Sequence, residues 1–186
     1  MDLIMQDEEQ ETIVTEEAEA LFSPSIEMNR ETPKPPALSS EDKERFYKSI
    51  LSDKPYEETV PLFDGQLNIT FRSMLVKENT DVVNQIGLDR KNGIAADNDA
   101  YLVTLSAYRM AVSLIAVNGE PFSALTRDTF TPSHPKDTYV LAKSLPVFDW
   151  ATPKLSAYLD AFAKFETKVV RLASEVQTPN FWKASA

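Results

Sequence analysis

Few side chains in this sequence are of types that do chemistry, and their spacing limits what each can do. His134 is the single histidine and stands between Pro132 and Pro135. One imidazole cannot build a histidine metal cluster, and a Ser–His–Asp relay would hang on a residue in a proline-bounded loop, so His134 is read as a loop histidine. The four glycines, at 65, 87, 93 and 119, form no phosphate-cradling loop. The run DRKNGIAADND has the composition of a calcium loop, yet setting Gly93 at its turn position puts Leu88 where the first carboxylate must stand. Asp97 and Asp99 are then read as residues that open a helix. Glu57 and Glu58 are neighbours on a predicted strand and point to opposite faces, which does not make an acid/base pair. Arg109 is the one charge in an apolar run and demands a partner, either a carboxylate or carbonyl cluster inside the fold or, as the competing reading, a ligand carboxylate. No catalytic, metal-binding or cofactor-binding residue is expected, and the chain is not expected to be an enzyme.

Arg109 lies in the stretch that the other elements must be arranged around. Residues 100–117, AYLVTLSAYRMAVSLIAV, are apolar on nearly every face. As a helix rising ~1.5 Å per residue they would extend about 27 Å, the width of a small domain. A buried central helix is predicted over this span. Asp97, Asn98 and Asp99 offer N-caps and negative charge at the positive end of the helix dipole, and Asn118-Gly119 offers the left-handed turn at its other end. A membrane span is the rejected alternative, because Arg109 is central, Thr104, Ser106 and Ser113 dilute the run, and no basic flank follows.

Around this stretch the chain divides as follows. Residues 1–38 are read as a disordered acidic arm, since acidic runs and TPKPP bury little. Within it Ile13, Val14, Ala18, Leu21 and Phe22 share one side of a short helical pattern. Residues 39–182 are read as the folded domain and 183–186 as a flexible end. Ser39 or Ser40 caps a helix through EDKERFYKSILSD, with Phe46, Tyr47, Ile50 and Leu51 on one face and Pro55 beyond its end. A hairpin near 57–72 turns at Asp64-Gly65, a pair suited to positive φ at both central positions. That turn sets Leu62 opposite Leu67 and Val60 opposite Ile69, with Pro61 confined to a sheet edge. A helix with apolar Val76, Val82, Val83 and Ile86 ends near Asn92-Gly93. Residues 119–138 read as a surface loop, and 139–145 as one or two helical turns before Pro146.

The last helix is predicted to open with Thr152 as N-cap and Pro153 at its first position. Tyr158, Phe162, Phe165, Val169, Leu172 and Val176 recur in steps of four and three, the spacing of a helix-packing seam. Most of that seam is expected to pack on the central helix, leaving the rest to a partner. Tyr158, Phe162, Phe165 and Val169, with Phe181 and Trp182 near the end of the chain, are the candidate partner-binding residues. The fold class expected is mainly α with one β-hairpin, a small α+β domain.

Charge narrows the partner class. Residues 1–40 hold ten acids against Arg30 and Lys34, net -8, so only -2 of the total of -10 falls on the other 146 residues. Neither part has the basic stripe that phosphate-backbone binding requires, so nucleic acid is not expected as a partner, nor is a membrane. The absence of cysteine rules out disulfides and thiolate metal sites and fits a reducing compartment. The first ten residues, MDLIMQDEEQ, show no signal-peptide pattern.

The succession of an acidic, proline-containing leader, DKERFYKSILSDKPYEE, a hairpin closing in LNITFRSMLVKEN, and YRMAVSLIAVNGEPF resembles the tail assembly chaperones of tailed bacteriophages. The resemblance covers residues 41–182 and is carried chiefly by residues 69–79 and 108–119. It implies a non-enzymatic protein of the infected host cytoplasm that coats the long tape-measure protein, keeps its apolar helices from aggregating, and helps recruit the major tail protein. That family has no catalytic residues to carry over. The alternative is a structural part of the virion, such as a baseplate or tail-completion subunit, and self-association is open under both readings.

Overall fold

The computed structural model describes residues 38–134 and 137–177. The N-terminal arm, Phe181 and Trp182 lie outside the described residues. Ser39 caps the first helix, α1 (Ser40–Leu51), by accepting the Asp42 N–H at 3.1 Å. Of the face expected to bury, Phe46 does so while Ile50 and Leu51 stay exposed, because only one edge of this short helix touches the core.

Strands β1 (Glu57–Leu62) and β2 (Leu67–Arg72) pair antiparallel in the expected register, Leu62 opposite Leu67 and Val60 opposite Ile69. Asp64 and Gly65 take φ of 54° and 83°, and the Gln66 N–H donates to the Phe63 carbonyl at 3.1 Å. Phe63 is left-handed as well, at φ 51°. Pro61 is exposed on β1, which is an edge strand as its missing N–H requires.

Helix α2 (Val76–Lys91) follows, ends at Asn92 with Gly93 left-handed beyond it, and leads to α3 (Asn98–Ser113), whose N-cap Asp97 accepts the Ala100 N–H at 2.7 Å. Here the sequence expectation needs correction. The predicted helix over 100–117 stops at Ser113, and its last four residues become strand β3 (Leu114–Val117). Asn118 and Gly119, both at positive φ, turn the chain into β4 (Glu120–Pro121), so they close a second hairpin instead of ending a helix. The cause is β2, whose outer edge would otherwise be unpaired. Ile69 pairs with Val117 and Thr70 with Ala116, and Asn118 adds a bond in each direction with Asn68, at 2.7 and 2.8 Å. The α+β class stands, with a four-stranded antiparallel sheet in the order β1-β2-β3-β4 where a single hairpin was expected.

Helix α4 (Tyr139–Phe148) is capped by Thr138 and continues through Pro146, which sits exposed in its last turn. Helix α5 (Thr152–Val176) has Ala151, not Thr152, at its cap position, with Pro153 in the first turn. It covers the sheet: Phe71 of β2 meets Phe162 and Phe165 at 5.4 and 5.7 Å between ring centroids, and Tyr56 stacks on Phe165 at 6.3 Å. A second, smaller core of Val82, Ile86, Tyr108, Val112 and Val140 lies between α2, α3 and α4. Only the C-terminal half of α3 is enclosed. Leu102 and Val103 are 57 % and 53 % exposed, so the run is not buried along its length as its composition predicted. Among the described residues no helix is long and apolar enough to cross a membrane.

Candidate partner-binding surface

The aromatic seam of α5 is core. Tyr158, Phe162 and Phe165 are each 3 % exposed and Val169 packs half-buried against the same cluster. The inner face of the sheet carries Phe71 and Ile69, and these rings are what covers it, so they do not present a face to another protein. Phe181 and Trp182 fall outside the described residues. Spacing alone could not distinguish a seam that closes the fold from one that waits for a partner.

The exposed helix face that sequence periodicity missed is on α2. Its inner side is fixed by polar contacts. Arg72 at the end of β2 grips Glu78 at two points, 2.8 and 2.6 Å, and the same carboxylate accepts the Leu75 N–H at 3.0 Å. About two helical turns further, the Gln85 amide donates to Asp89 at 2.8 Å, Tyr108 of α3 donates to the other Asp89 oxygen, and Thr138 donates to the Gln85 carbonyl oxygen. Glu78, Val82, Gln85, Ile86 and Asp89 therefore point inward. The opposite side carries Val76, Thr80, Val83 and Gly87, at steps of four, three and four. Val76 is 86 % and Val83 55 % exposed, and nothing lies within 4 Å of where a Gly87 side chain would begin. A face pointing to solvent is ordinarily charged; this stripe carries no charge, and its spacing is that of a helix-packing seam. The four apolar positions expected of this helix thus divide between two faces, Val82 and Ile86 inward and Val76 and Val83 outward.

Beside the stripe, α2 and the segment leading into α4 enclose an open cleft of about 380 Å³. Asp81 and Arg127 face each other across its rim at 2.6 Å, and Leu88 and Phe130 supply apolar lining. Phe130 is held edge-on by Tyr139 at 6.3 Å between centroids.

The remaining candidates resolve into structural contacts. Arg109 pairs with Glu166 of α5 at 2.6 Å, the internal carboxylate partner expected, although its side chain is 39 % exposed where burial was predicted. Burial pushes the Glu166 carboxyl up, opposed by the Arg109 charge and hydrogen bond. Glu57 and Glu58 do take opposite faces, Glu58 binding Lys168 at 2.8 Å and the Tyr56 hydroxyl at 2.9 Å. His134 is exposed in its loop, with its backbone N–H on Asp137 at 2.7 Å. Lys143 is buried, its ammonium donating to the Val112 carbonyl at 3.3 Å, and burial with the nearby Arg72 charge pushes it down to about 8. Among the described residues no group of three or more His, Asp or Glu side chains is placed to hold a metal ion. No family model, curated protein or solved structure matches the chain.

Proposed function

We propose that the protein is a tail assembly chaperone of the kind found in tailed bacteriophages, working in the infected host cytoplasm, and that it binds apolar helical segments of the tape-measure protein. The observation that carries this reading is the uncharged outer stripe of α2, where Val76, Thr80, Val83 and Gly87 present the spacing that a second helix packs into. A protein that masks apolar helices needs such a face on the outside of a fold already closed without it, and α5 closes this one. Further support comes from the two segments that carry the family resemblance. Residues 69–79 and 108–119 are neighbours in space, joined where β2 pairs with β3, and α2 begins inside the first of them. Recruitment of the major tail protein is the second part of the proposal.

The test is coexpression with the tape-measure protein, scoring how much of it stays soluble. Wild type should raise the soluble fraction, and Val76→Glu with Val83→Glu should abolish the gain while the purified variant keeps its circular dichroism spectrum and thermal midpoint. A wild type with no effect overturns the chaperone reading. A folded double variant that works as well as wild type removes the stripe as the binding face. Mass spectrometry of purified particles separates the virion-subunit alternative, since a chaperone is absent from them and a subunit is present in stoichiometric copies.

A further inference from the structure

We propose that the cleft beside the α2 stripe is a pocket for one large apolar residue of the partner together with a peptide group just beyond the end of the partner's helix, where the backbone N–H and C=O are not taken up by the helix itself. This rests on the reading of α2 as a protein-binding face and names the chemistry of its flank. The cleft measures about 380 Å³, the lower end of the range of sites that enclose a small organic group. Leu88 and Phe130 give it apolar walls, and Phe130 is fixed in place by Tyr139. Its charges cancel: Arg127 uses Nε on one oxygen of Asp81, which leaves the guanidinium amino groups as donors and the second Asp81 oxygen as an acceptor. Asn84, on α2 between the stripe and the cleft, adds an amide that both donates and accepts and has no partner among the described residues. Matched donors and acceptors around a neutral, partly apolar pocket suit a peptide unit, which is itself one donor and one acceptor. A free carboxylate would find Arg127 already neutralised and Asp81 beside it. The rim is held from behind, since Gln85, Thr138 and Asp89 hydrogen-bond one another below it.

The experiment is a titration of the ¹⁵N-labelled full chain with N-acetyl-phenylalanine amide and, separately, with the free acid N-acetyl-phenylalanine, followed by backbone amide shifts. The amide should produce saturable shifts at Asn84, Leu88, Arg127 and Phe130 in the millimolar range, with the acid binding more weakly. Asn84→Ala should weaken the amide about fivefold, the worth of one hydrogen bond, and Leu88→Ser by at least as much, while Val170→Glu, at an exposed position of α5, leaves it unchanged. Absence of saturable shifts at these residues, tighter binding of the acid, or indifference to Asn84→Ala and Leu88→Ser overturns the proposal. The titration contains no tape-measure protein, so a failed cleft and a failed chaperone reading give different results: the first leaves solubilisation in coexpression intact, and the second does not touch the shifts.

Discussion

Glu78 joins two elements through one carboxylate: it takes both arms of Arg72 at the end of β2 and the Leu75 N–H at the start of α2. The orientation of α2, and with it the direction in which Val76 and Val83 point, depends on this contact. Burial pushes the Glu78 carboxyl up, but the Arg72 hydrogen bonds, the Leu75 N–H and the Arg72 charge together outweigh it, so it lies below the usual glutamate range. A carboxyl depressed in the folded state contributes stability above its unfolded pKa and loses that contribution as pH falls through the folded value. Arg72→Ala should therefore destabilise by about 3 kcal/mol at pH 7, by leaving a buried carboxylate unpaired. Urea unfolding should show that deficit shrinking toward acid pH, and a deficit independent of pH would remove the ion pair as its cause.

Lys143 also has a depressed folded value, but as a buried cation it costs stability at pH 7 where the Glu78 contact contributes it. Its folded value of about 8 lies below the ordinary 10.5, because burial and the Arg72 charge outweigh the attraction of Glu78. Between these values the unfolded chain holds more protons than the folded one, so stability contributed by this group rises with pH from about 8 toward 10.5. Above about 10 the trend reverses. Tyr139, pushed up to about 12 by burial and the Glu78 charge, stays protonated in the fold while unfolded tyrosines ionise, and Tyr56 and Tyr108 are raised in the same direction. Lys143→Met keeps the volume and removes the buried charge. It should raise stability at pH 7 by about 1–3 kcal/mol and flatten the rise above pH 8 in urea melts across that range.

The Arg109–Glu166 pair, with side chains 39 % and 32 % exposed, is screened by solvent on one side, so its coupling should be about 1 kcal/mol or less. Arg109→Leu should unfold cooperatively. Arg109→Ala should cost more, because the partly shielded aliphatic stem that leucine largely replaces goes as well. A double-mutant cycle with Glu166→Gln measures the coupling, and a value above 3 kcal/mol would mean the pair is more enclosed than its exposure indicates.

What could be read from the sequence divides by the range of the interaction that decides it. The Asp64-Gly65 turn, the register it imposes, the Ser39 and Asp97 caps and the end of α2 at Asn92-Gly93 depend on residues within a few positions, and all were legible. The fate of residues 114–117 was not, because LIAV suits a helix and a strand equally and only the open edge of β2, some fifty residues away, selects the strand. The same reason hid the candidate surface. Tyr158, Phe162 and Phe165 read as a packing seam that a partner could share, and Val76 and Val83 as apolar positions of a helix with no face assigned; the inner face of the sheet takes the first set, and Val76 and Val83 point outward. Periodicity reports that a face is apolar and not what covers it.

Gly87 supplies the last prediction, since stability and binding should respond there in opposite directions. It sits inside α2 with ordinary helical backbone, and a side chain would meet nothing within 4 Å. Gly87→Ala should therefore stabilise the isolated protein by about 0.5–1 kcal/mol, the helix-propensity difference between the two residues. If a partner helix approaches along Val76, Thr80, Val83 and Gly87, each larger side chain at 87 holds that helix further away, so Gly87→Leu should stabilise the free protein and weaken tape-measure solubilisation. Thermal melts of the isolated variants and coexpression assays read the two effects separately. Capture by Gly87→Leu as strong as by wild type would show that close packing does not reach this part of the stripe, and would confine the contact to the Val76–Val83 end.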